Sequence, residues 1–103
     1  MSDSIDQEIR TLQELLWSSR DPEGLAFAPL AEALSRKGDA RKAIEMLADG
    51  ISRNPDFATG HVIAAGVLSS HGMMAEAEVA ATRSVVVATG KIVGLALRER
   101  IRV

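Results

Sequence analysis

The sequence predicts an all-α chain built from antiparallel helix pairs. Three observations lead there. Only Trp17, Phe27 and Phe57 are aromatic among 103 residues, yet 47% of the chain is hydrophobic. Small side chains in place of rings suit closely packed helices better than sheets, which draw on aromatic and β-branched residues. Apolar residues recur at helical spacing between short polar breaks. The breaks at Gly38 and Gly72 lie 34 residues apart.

The first element spans Ile5 to Ser18, with Ile5, Ile9, Leu12 and Leu16 on one stripe. Ser4 and Gln7 have the spacing of a capping box. Asp21-Pro22 reads as a new start, Asp as N-cap and Pro in the first helical position. A second helix is expected from Pro22 to Lys37, bent at Pro29. Gly38-Asp39 stops it and opens a third helix, Ala40 to Ser52, with Ala43, Ile44, Leu47 and Ile51 inward. Asn54-Pro55 closes that one. A fourth helix covers Ala58 to Ser70, and a fifth covers Ala75 to Val87 with Ala77, Ala81 and Val85 inward. Gly90 is expected to break the chain before a sixth helix, Ile92 to Arg102.

Charge and composition narrow the function. There are no cysteines, hence no thiol nucleophile and no Cys-based zinc site. The net charge of −2 argues against nucleic acid as a partner, since duplex binders carry a basic footprint. No apolar run is long enough to cross a bilayer, and the acidic N-terminus is unlike a signal peptide. A cytoplasmic protein with no membrane insertion is the expectation. Residues 1–82 carry 13 acidic and 7 basic groups, net −6, whereas residues 83–103 carry 1 acidic and 5 basic, net +4. The basic end either complements a helix C-terminus or meets an acidic surface, such as another copy.

No catalytic constellation is legible. His61 and His71 are ten residues apart, His61 at a core-facing position and His71 at a helix end, and no carboxylate joins them at metal-ligand spacing. Glu76 and Glu78 point to different helix faces. Glycine-rich phosphate loops and serine nucleophile motifs are missing from the sequence. Neither enzyme activity nor a cofactor or metal is expected.

The stretch FAPLAEALSRKGDARKAIEMLADGISRNPDF, with its 34-residue period, resembles the tetratricopeptide repeat family, bacterial type. Phe27, Leu30, Ala31, Leu34, Ala43, Leu47, Gly50 and Pro55 fall on the consensus positions in a first repeat, residues 24–57. The second, residues 58–91, keeps the small residues Ala65 and Ala77 but has Ala64 and Ala81 for large ones and Thr89 for the proline. The resemblance implies a right-handed superhelix of antiparallel helix pairs, an α-α solenoid. Residues 1–20 then form an N-terminal helix, and residues 92–103 a C-terminal helix or the start of a third repeat.

The resemblance also implies a non-catalytic protein–protein interaction scaffold that binds a peptide or helix in a concave groove. That groove would be lined by Leu25, Ala28, Glu32, Ser35, Arg36, Thr59, Val62, Gly66, Ser69 and Ser70. The alternative is an N-terminal accessory or regulatory domain of a larger enzyme or secretion-related protein. The last helix, apolar through Ile92, Leu95, Ala96 and Ile101, is expected to mediate self-association as a homodimer.

Overall fold

A computed structural model of the chain describes the backbone of residues 2–101 and the side chains of residues 4–92. Five helices follow one another: α1 (Ser2–Leu15), α2 (Phe27–Lys37), α3 (Ala40–Arg53), α4 (Ala58–Ser70) and α5 (Met74–Ile101). Among the described residues there is no strand, and no helix is long and apolar enough to cross a membrane.

α1 buries Ile9 and lays Ile5 and Leu12 against the core, and Leu16, just past its end, packs there too. It starts earlier than the sequence suggests, so Ser4 and Gln7 lie inside it rather than at its cap. Ser2 and Asp3 are themselves residue types favoured at a helix start. α1 ends at Leu15, and Trp17 follows in the left-handed region (φ 63).

The segment from Pro22 to Ala26 is turn, not helix. Asp21 is the reason. Its buried carboxylate accepts the backbone N–H groups of Trp17 (3.3 Å), Leu25 (2.8 Å) and Ala26 (3.1 Å). These bonds gather the chain into a compact loop and delay α2 to Phe27. Pro29 therefore falls in the first helical turn, where its missing N–H has no intrahelical partner to lose. No bend is needed there.

Two turns repeat in atomic detail. Gly38 is left-handed (φ 101), its N–H bonds the Ser35 carbonyl (3.0 Å), and the Asp39 N–H bonds the Leu34 carbonyl (2.9 Å). Gly72 is left-handed (φ 78), its N–H bonds Ser69 (3.1 Å), and the Met73 N–H bonds Leu68 (2.9 Å). Both are glycine-terminated helix ends of the kind that reverse the chain. They fold α2 with α3, and α4 with α5, into two helical hairpins. The Asp39 carboxylate also caps α3, accepting the Lys42 N–H at 3.4 Å.

The hairpins pack side by side, α4 touching both α2 and α3, while α1 covers α2. Ala28, Ala31, Ala33 and Ala43 are wholly buried where helices approach most closely. The Phe27 ring lies over the backbones of Gly50 in α3 and Gly60 in α4, and meets Phe57 edge-on (6.0 Å, 73°). A Cβ on Gly50 would strike that ring. His61, buried 34 residues after Phe27, donates its Nε2–H to the Pro55 carbonyl (2.8 Å).

Two expectations for the C-terminal part are corrected. Gly90 does not break the chain; α5 is one helix from Met74 through Ile101. An isolated glycine inside a helix costs only about 1 kcal/mol relative to alanine. Gly90 is not in the left-handed conformation that ends α2 and α4. The inner face of α5 is also rotated. Ala77 and Ala80 are buried, whereas Ala81 and Val85 are exposed. Apolar residues surround α5 on nearly all sides, so periodicity alone does not select the face.

Candidate functional site

α2 and α4, the first helices of the two hairpins, line a shallow concavity of about 330 Å³. Glu32, Ser35 and Arg36 come from α2; Val62, Ile63, Gly66, Val67 and Ser70 come from α4. Six of the ten residues predicted for the groove thus meet there: Glu32, Ser35, Arg36, Val62, Gly66 and Ser70. Helical spacing on both elements, in register across the hairpins, brings them together.

The other four do not join them. Leu25 precedes α2 and borders a separate hollow with Asn54 and Phe57. Ala28 is fully buried in the core. The departure of Leu25 follows from the late start of α2, which puts the residues before Phe27 under the control of Asp21; Ala28 lies within α2 on the face turned to the core. Thr59 and Ser69 are exposed on α4 but do not line the concavity. Ile63 and Val67 line it although sequence reasoning left them out.

The electrostatics centre on Arg36. Its Nε–H donates to Glu32 Oε1 (2.8 Å) and its Nη2–H to Glu8 Oε1 (2.6 Å). The two carboxylates, Glu32 foremost, hold the guanidinium above its ordinary range. Glu8 belongs to α1, so the N-terminal helix helps to hold Arg36 at the edge of the concavity. Lys37 pairs with Asp6 of α1 in the same way (2.6 Å). Beyond the turn Arg41 pairs within α3, with Glu45 (3.2 Å). Ser35 Oγ and His71 Nε2 lie 3.0 Å apart, which links the two hairpins.

A second groove runs between α3 and α5 over α4. Ile44, Leu47, Ile51, Ala64, Leu68, Val79 and Ala80 line it, with Glu76 and Arg83 at its edge. Its volume is about 190 Å³, and its lining is almost entirely apolar.

Among the described residues no three His, Asp or Glu side chains converge as a metal site would require. For the predicted self-association residues, Ile92 is strongly exposed. Leu95, Ala96 and Ile101 lie outside the described side chains, although the backbone there is helical. Compared with protein-family models, with curated proteins and with solved structures, the chain finds no match.

Proposed function

We propose that the chain is a non-catalytic interaction module that holds a peptide or helix in the α2–α4 concavity. One observation carries this reading. The concavity has an apolar floor (Val62, Ile63, Val67) and a polar rim (Glu32, Ser35, Arg36, Ser70), the anatomy of a contact patch in which buried apolar anchors give affinity and rim groups give orientation. The α3–α5 groove lacks such a rim on most of its length. Gly66 leaves backbone open to an approaching chain, with no heavy atom within 4 Å of where its Cβ would stand.

The recurrence of one turn geometry at Gly38 and Gly72 supports stacked helical hairpins, and with them a right-handed superhelix of tetratricopeptide type. In this reading Arg36 is not a free carboxylate clamp, because Glu32 and Glu8 already neutralise it. The preferred occupant is an amphipathic segment that brings its own apolar anchors and hydrogen-bonds the rim.

Selection of binders from a displayed peptide library tests the proposal, followed by backbone amide NMR of the complex. Shifts concentrated at Glu32, Ser35, Arg36, Val62, Gly66 and Ser70, together with loss of binding in Val62→Glu, support it. Val62 is exposed, so this variant leaves the core intact. Shifts confined to α3 and α5, or a library that yields no binder, overturn it.

A further inference from the structure

The unbroken α5 creates a surface that two shorter helices would not. At about 1.5 Å per residue, the 13 residues of α4 span about 20 Å and the 28 of α5 about 42 Å. Among the described residues α5 makes its helix–helix contacts with α4. Its second half therefore runs well past α4.

Along that helix Ala81, Val85, Ala88 and Ile92 are all exposed and succeed one another in steps of four, three and four residues. Val85 and Ile92 are among the most exposed large apolar side chains of the molecule, at 63% and 67%. Alternating three- and four-residue steps form the seam of a two-helix coiled coil. A solvent-exposed apolar seam marks a contact surface.

Charge decides what covers it. The start of α5 is acidic through the exposed Glu76 and Glu78. Its end is basic in sequence, Lys91, Arg98 and Arg100 against Glu99. A second α5 laid antiparallel sets each basic end beside an acidic start, and opposes the two helix dipoles. A parallel copy sets like charges together. The seam has the same preference. Under a two-fold axis between positions 86 and 87, Ala81 faces Ile92 of the second copy and Val85 faces its Ala88. Each large side chain then meets a small one, so the helices can approach closely.

We infer that α5 is a homodimerisation element: a second copy of this chain docks its own α5 antiparallel, through the Ala81, Val85, Ala88 and Ile92 seam. The interface is isologous, one patch meeting itself. It lies on a different face from the α2–α4 concavity and does not depend on the function proposed for that concavity.

Light scattering on the full chain at high micromolar concentration tests it. The wild-type chain should have the mass of a dimer and dissociate as salt is raised. Val85→Glu should halve the mass with an unchanged circular dichroism spectrum, because Val85 makes no core contact. Orientation is read by crosslinking, which is clean because the chain has no cysteine of its own. Ala81→Cys and Ile92→Cys chains, mixed and oxidised with oxidised glutathione, should link mainly one to the other. A monomeric wild-type chain, a dimer that survives Val85→Glu, or a preponderance of like-with-like links would overturn the inference.

Discussion

Replacing Gly50 by alanine should destabilise the protein, against the usual rule for helices. Inside an exposed helix the change stabilises by roughly 0.5–1 kcal/mol, because glycine loses more backbone freedom on folding. At Gly50 the added methyl would stand within 2.6 Å of Phe27 Cδ1, and nearer still to Cγ and Cδ2. The ring is buried and bounded by Gly60 and by the Phe57 edge. It cannot turn out to solvent, so α2 and α3 must separate. Overpacking of this kind costs about 1–3 kcal/mol. The net expectation is a loss of about 1–2 kcal/mol, or a fall in Tm of about 5–10 °C for a chain of this size. Gly66→Ala is the matched control. It too is a helix interior position, but its Cβ would meet nothing within 4 Å, so the ordinary gain of about 0.5–1 kcal/mol is expected there. Thermal and urea melts followed at the helical circular dichroism band give both numbers. If Gly50→Ala raises Tm as Gly66→Ala does, the Phe27–Gly50 contact does not exist as described.

Three further changes probe other joints. Ala43 is completely buried, so Ala43→Leu should cost about 1–3 kcal/mol in a urea melt; a neutral result would refute the packing of α3. Asp21→Ala removes the acceptor of three backbone N–H groups. It should lower stability by about 2–3 kcal/mol, and amide exchange should show the 17–26 loop loosened. Gly90→Ala should stabilise by about 0.5–1 kcal/mol if α5 is continuous, whereas a glycine-dependent turn at that point would make the same change unfavourable.

What the sequence reveals here is set by how local the determining interactions are. The bounds of α4 and the start of α3 are legible because Gly38, Asp39, Asn54 and Gly72 act on their immediate neighbours. The loop before α2 is not, because Asp21 works through its side chain on N–H groups up to five residues away, and Asp-Pro favours a helix start just as well. Gly90 misleads because glycine is ambiguous without its φ angle. The concavity is legible to the extent that helical spacing places Glu32, Ser35 and Arg36 opposite Val62, Gly66 and Ser70. The contribution of Glu8 is invisible in the sequence. It depends on how α1 lies across α2, a tertiary arrangement that no spacing encodes.

The placement of Phe27 has a consequence for how the molecule comes apart. The ring belongs to the first hairpin yet rests on a glycine of the second, and its edge partner Phe57 sits in the connection between them. In stacked hairpins, cooperativity passes only through the surfaces that neighbours share. With this ring in place, α2, α3 and α4 are expected to open as one unit, their slowest amide hydrogens exchanging at one common free energy. Phe27→Ala would weaken the coupling while leaving the α4 contacts with α2 and α3 in place, and should let the second hairpin open at a lower free energy than the first, a difference that amide exchange reads.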